Sequence, residues 1–150
     1  MLTFAIDPGP HTGIYCNKKG ITLDLVAAEK DLGIGKHRYL WEWLTDHVPA
    51  NARIICETFE FRKDDAASRA YIDYSTAEYV GVISLFCQLN RIEHIKQLAS
   101  TGKGFWNNDK LKRAGMYNLC DSRHARDAVR HYLTWLTFTE GNQEYLYKLK

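Results

Sequence analysis

Short apolar runs open the chain. Leu2 to Asp7 reads as a strand, Gly13 to Cys16 continues it after a turn, and Ile21 to Ala28 forms a third run beyond the Lys18-Lys19-Gly20 turn. A three-stranded meander is the expected result. Gly33 and Gly35 then mark a loop, and Tyr39, Leu40, Trp43, Leu44 and Val48 recur at helical spacing until Pro49 stops the pattern. Arg53 to Glu57 is a short β-branched run of the kind buried in the middle of a sheet. The helix before it acts as a crossover, which predicts parallel pairing with the first strand.

From Thr58 to Tyr74 the pattern gives way to charge and aromatics, including Phe59, Glu60, Phe61, Arg62, Lys63, Asp64 and Asp65, and a loop or frayed helix at the active face is expected. Ser75 and Glu78 stand three apart as a capping box, ahead of apolar positions that predict a helix from about Thr76 to Leu89. Ile92 to Ile95 reads as a fifth strand. Asn107 or Asn108 caps a short basic helix reaching about Met116, and Ser122 caps a last helix through about Leu136. The order predicts an α/β fold, a mixed five-stranded sheet with helices on both faces, and a chain of 150 residues fits one domain spanning 1–150.

Composition narrows the setting. Cys16, Cys56, Cys87 and Cys120 are scattered without a C-x-x-C pair and read as reduced, mostly buried thiols, which favours an intracellular protein. No apolar stretch approaches the length of a membrane span and no basic leader precedes the first strand, so a cytoplasmic location without membrane attachment is expected. The net charge of +2 is too small to announce a nucleic-acid partner by itself. Its distribution says more: Lys103 to Arg113 holds four basic residues against one Asp, and Arg123, Arg126 and Arg130 line the last helix. A basic track beside an acidic cluster suits a polyanion held against metal ions.

The acidic cluster follows from the elements. Asp7 ends the first strand and Glu57 the fourth, so adjacent parallel strands deliver both carboxylates to one sheet edge. The last helix places His124 at its second position and Asp127 one turn later on the same face. Two hard divalent ions need such oxygen ligands, and a pair of them can activate water and neutralise both oxygens of a phosphodiester displacement. A helix N-terminus also disfavours protonated imidazole, and a metal-binding histidine must be neutral. Asp7, Glu57, His124 and Asp127 are thus the candidate catalytic and metal-binding residues. Two Mg²⁺ ions are the expected cofactor, with Mn²⁺ at least comparable because a histidine is present.

These segments carry a resemblance. Ile6-Asp7-Pro8-Gly9 with Thr12-Gly13, the strand ending in Glu57, Thr101-Gly102-Lys103-Gly104 before a basic helix, and His124-Ala125-Arg126-Asp127-Ala128 occur in the order found in RuvC-type Holliday junction resolvases of the RNase H-like superfamily. The resemblance covers most of the chain, and the family carries Asp or His at the place of His124. It implies an RNase H-like fold and metal-dependent endonuclease activity on four-way or other branched DNA, by a homodimer. It also implies DNA contacts from Lys103, Lys110, Lys112 and Arg113, with Arg62 and either Phe59 or Phe61 at the junction. The familiar wedge aromatic lies three residues past the glutamate, where this chain has Glu60. The somewhat short chain and the insertion around Phe59 to Asp65 suggest a phage or divergent member. Two other readings remain: a nuclease of the same fold acting on RNA-DNA hybrids or flaps, and a non-catalytic protein that binds branched DNA.

Overall fold

Residue parity along the first strand sets up two layers. In the computed structural model, which describes residues 1–17, 19–58 and 74–149, β1 (Thr3–Asp7), β2 (His11–Cys16), β3 (Lys19–Asp24), β4 (Arg53–Thr58) and β5 (Glu93–Leu98) form one sheet in the order β3-β2-β1-β4-β5. The first three strands pair antiparallel, whereas β4 runs parallel to β1 and β5 parallel to β4. Phe4, Ile6, Ile54 and Cys56 point to one face and pack with Leu40, Leu44, Ile83 and Phe86. Those partners come from α2 (Lys36–His47) and α3 (Ser75–Asn90). Ala5, Tyr15 and Ile55 point to the other face, against Leu111 of α5 (Asn108–Arg113) and Ala128, Val129 and Leu133 of α6 (Arg123–Thr134). Because side chains alternate across a strand, Asp7 and Glu57 fall on the α6 face.

The expected mixed five-stranded sheet with helices on both sides is present, including the parallel β1–β4 pair. Three local expectations need correction. The third run stops at Asp24 rather than Ala28, because the Asp24 carboxylate accepts from the Ala27 amide at 2.9 Å and starts α1 (Leu25–Leu32). The Ser75-Glu78 capping box does not form. Tyr74 precedes α3 with helical φ/ψ of −76° and −4°, so Ser75 lacks the extended backbone of a cap, and the Glu78 carboxylate bonds Nε2 of His37 at 3.1 Å. β5 begins at Glu93 and reaches Leu98, beyond Ile95, because it follows β4 in register as far as Thr58. Thr101 to Gly104, ahead of the basic helix, lies in a short helix of its own, α4 (Ala99–Phe105).

The helix termini near the carboxylates behave as the sequence suggests. Asn107 accepts from the Lys110 amide and opens α5, and Ser122 accepts from the Ala125 amide and opens α6. The last helix runs on past Thr134 through a π-helical turn at Trp135–Thr139, followed by α7 (Glu144–Tyr147). No helix among the described residues is long and apolar enough to cross a membrane.

Candidate metal centre

Register brings the two carboxylates together. Ile6 pairs with Cys56 in the parallel β1–β4 ladder, so Asp7 and Glu57 occupy the next position of each strand, side by side. The turn that follows Asp7 is pinned by Thr12, whose buried hydroxyl donates to the Gly9 carbonyl at 2.7 Å while the Gly9 amide reaches the same oxygen at 3.3 Å. The backbone beyond the turn is held too, by the Leu25 amide donating to the Pro10 carbonyl at 2.9 Å.

The start of α6 is fastened to edge strand β3. Asp121 accepts from the Thr22 amide at 3.2 Å and from its hydroxyl at 3.1 Å, and the hydroxyls of Thr22 and Ser122 are also in contact. Gly13, opposite Asp7 on β2, lets the helix settle directly onto the sheet. A Cβ there would come within 2.7 Å of the Ala125 nitrogen and closer still to the His124 carbonyl. His124 consequently lies over Asp7, its Nδ1 at 3.2 Å from the carboxylate. The His11 ring stands 5.9 Å from that of His124 and pairs with Asp24 at 3.4 Å, which leaves it at the rim.

Two turns along α6, a second histidine enters the site. His131 Nε2 lies 3.0 Å from Glu57 and its Nδ1 2.9 Å from Gln97, the residue that β5 places beside Glu57. Asp7, Glu57 and His131 each offer an atom within 4.8 Å of the others, an arrangement that can hold a cation. Asp127 takes a different partner, because the Arg130 guanidinium bonds its carboxylate and also donates to the Trp106 carbonyl at 2.7 Å and Asn108 Oδ1 at 2.5 Å. Of the four residues read from the sequence, the structure therefore joins Asp7 with Glu57 and with His124, and couples Asp127 to Arg130. His131 and Gln97 were not anticipated, and Arg130, expected in the basic track of the last helix, instead pairs with Asp127. The spacing of seven residues between His124 and His131, two turns on one helical face, is the signal that could have found the second histidine.

The donor set fits a divalent ion. Two carboxylates side by side on a sheet edge, with side-chain exposures of 11% for Asp7 and 15% for Glu57, concentrate negative charge where little water can screen it. Oxygen ligands beside an imidazole suit Mg²⁺ and, better, Mn²⁺. Asp127 itself lines, with Asn107, Asn108, Arg123, Arg126 and Arg130, an open cavity of about 390 Å³. Arg130 is committed to Asp127, Trp106 and Asn108, so the guanidinium groups of Arg123 and Arg126 are the ones this cleft could turn to a phosphate.

Three of the remaining predicted DNA contacts, Lys110, Lys112 and Arg113, have partners of their own. Lys110 sits over the Phe105 ring at 3.5 Å and Lys112 over Tyr117 at 5.3 Å, while Arg113 donates to the Leu149 carbonyl. Arg126 also packs on Tyr117, at 4.7 Å. Lys103 belongs to α4, with its side chain outside the described atoms, and Phe59, Phe61 and Arg62 lie outside the described residues. Trp106, between α4 and α5, is fully buried in the α6 layer.

Comparison with known proteins gives a fold and no sequence relative. No protein-family model matches the chain, and no curated protein matches it by sequence. Solved structures do match over nearly their whole length. Thermus thermophilus RuvC superposes with a TM-score of 0.58 at 17% identity, covering 94% of this chain and 96% of that one. T. thermophilus RuvC in complex with Holliday junction substrate superposes with a TM-score of 0.55 at 18% identity, covering 95% and 96%. The mixed sheet, its strand order and these superpositions together give the chain a RuvC-like fold of the RNase H-like type.

Proposed function

We propose that the chain is a metal-dependent endonuclease that cuts branched DNA, four-way junctions foremost. The observation that carries this reading is the juxtaposition of Asp7 and Glu57 on neighbouring parallel strands with His124 of the α6 N-terminus at 3.2 Å from Asp7. Asp7, Glu57, His124 and Asp127 would hold the ions. Bound Mg²⁺ or Mn²⁺ supplies an activated water and charge neutralisation at the scissile phosphate.

The protein's own groups do the rest. The Thr12 staple and the Ser122 cap hold Asp7 and His124 in place, so the ligands are ordered before an ion arrives. Arg123 and Arg126 line the cleft that Asp127 shares, where they would draw in the phosphates flanking the cut strand. Lys103, Lys110, Lys112 and Arg113 would contact junction phosphates, and Arg62 with Phe59 or Phe61 would meet the branch point. The solved structure bound to a Holliday junction supports a junction over a linear duplex as the substrate class.

A four-way junction has two-fold symmetry, and cutting it symmetrically takes two active sites on a two-fold axis. The candidate dimer surface is α3, where Leu85 and Leu89 are 50% and 67% exposed, four residues apart on one side of the helix. Sedimentation as a monomer both free and on a junction would remove the paired-nick part of the proposal.

The test is cleavage of an end-labelled synthetic four-way junction beside a matched linear duplex, a flap and an RNA-DNA hybrid, in Mg²⁺ and in Mn²⁺. Preferential nicking near the junction centre supports the resolvase reading. Preference for flap or hybrid keeps the nuclease and changes the substrate. Binding without any cutting points to a non-catalytic branched-DNA protein.

A further inference from the structure

Two histidines of α6 approach the carboxylates, His124 at Asp7 and His131 at Glu57. His124 stands at the open rim, with 43% of its side chain exposed, whereas His131 is only 1% exposed beneath Glu57. An ion that must meet both water and a phosphodiester would need the open side, where His124 stands. We propose that His131 is a positioning residue: held from behind by Gln97, it fixes the Glu57 carboxylate toward Asp7 so that the metal site is preassembled.

The hydrogen bonding supports this role in either orientation of the Gln97 amide. If the Gln97 oxygen faces Nδ1, Nδ1–H donates to it, and Nε2 must also carry a hydrogen to meet a carboxylate at 3.0 Å. If the amide is turned over, its NH₂ donates to Nδ1 and Nε2–H donates to Glu57. In both cases an N–H points at Glu57 Oε2. The backbone makes the arrangement rigid, since the β4–β5 register pairs Glu57 with Gln97 and α6 lays the ring across both. Ala128 and Val129, fully buried on the same helix, hold that stretch of α6 against the sheet. A glutamate at a strand end has three rotatable bonds, and this triad removes the freedom that metal binding would otherwise have to freeze out.

This inference rests on the metal-site reading above, and one experiment separates the two. Mn²⁺ binding to the DNA-free protein, followed by electron paramagnetic resonance, is compared for the natural chain, Asp7→Asn, His131→Leu, His131→Gln and Gln97→Leu. Removing an outer-shell partner of a ligand typically weakens metal affinity about 10–100-fold, and that loss is expected for His131→Leu. His131→Gln, which can still donate to Glu57, should recover most of it, and Gln97→Leu should show a smaller loss of the same kind. Natural affinity in His131→Leu overturns the proposal, as does a His131→Gln protein no better than His131→Leu, which would make the imidazole itself a ligand. Should His131→Leu not fold, Gln97→Leu decides: weakened Mn²⁺ binding supports the brace and unchanged binding refutes it. Unchanged binding in Asp7→Asn would sink the metal site itself.

Discussion

Gly13 lies directly beneath the His124 carbonyl, where no side chain fits between β2 and α6. The absence of a Cβ thus sets the height of the helix above the sheet and with it the 3.2 Å approach of His124 to Asp7. Gly13→Ala should lift the N-terminus of α6 and cost about 1–3 kcal/mol from overpacking. Thermal unfolding reads the stability loss. Mn²⁺ titration should show weakened binding as well, because the ligands on strand and helix separate together. A protein that tolerates the methyl group with unchanged Mn²⁺ affinity would show that the approach is not needed for the site.

Arg130 and Asp127 form a buried pair, with 11% and 6% side-chain exposure. Arg130→Ala removes the cation that neutralises Asp127 and should destabilise the protein by about 3–5 kcal/mol. If Asp127 is a metal ligand, Mn²⁺ can replace the missing positive charge. The melting temperature of Arg130→Ala should then rise more on Mn²⁺ addition than that of the natural protein. Equal shifts would leave Asp127 as a structural partner of Arg130 alone.

The basic helix can be assigned through salt. Lys110 and Lys112 lie over Phe105 and Tyr117, arrangements that keep the long side chains ordered beside the arginine-lined cleft. Replacing both by Ala should weaken junction binding across DNA sequences and flatten the log–log salt dependence by roughly 0.9 for each duplex-arm phosphate that is no longer neutralised. An unchanged slope removes α5 from the DNA-binding face.

The thiols should be quiet at neutral pH. Burial pushes Cys87 and Cys120 up to about 11, from an ordinary value of 9.0. A thiolate is the reactive form, so alkylation by iodoacetamide should be slow at pH 7–8 in the folded protein and fast after denaturation. The same shift has a stability consequence. Above about pH 9 the unfolded chain releases these protons while the folded one keeps them, so stability should fall as pH rises from there toward 11. Rapid labelling of Cys87 at pH 7 without unfolding would contradict its burial.

Much of this architecture is legible because strand ends and caps are local. Asp7 and Glu57 close short apolar runs, and a helical crossover makes their strands parallel neighbours, so the meeting of the carboxylates follows from patterning and topology. Ser122 as the cap of α6 is equally plain. Sequence and structure part where a neighbour overrides a local signal. Glu78 bonds His37 on another helix instead of closing its own capping box, and Asp24 turns an apolar strand pattern into a helix start. His131 and Gln97 are hidden for a different reason. A buried histidine on an amphipathic helix and a glutamine in an edge strand have no meaning until the register sets both beside Glu57. Trp106 escapes because its segment reads as a loop, whereas α4 and α5 fold around it.

The most direct test of the account is single-turnover cleavage of a four-way junction in Mn²⁺ by the natural protein and by Asp7→Asn, with junction affinity measured on the same preparations. Removing one carboxylate should abolish nicking near the branch point while junction binding stays intact. Equal cleavage by Asp7→Asn, or no cleavage of any DNA by the natural protein in either Mg²⁺ or Mn²⁺, would contradict a nuclease centred on Asp7 and Glu57.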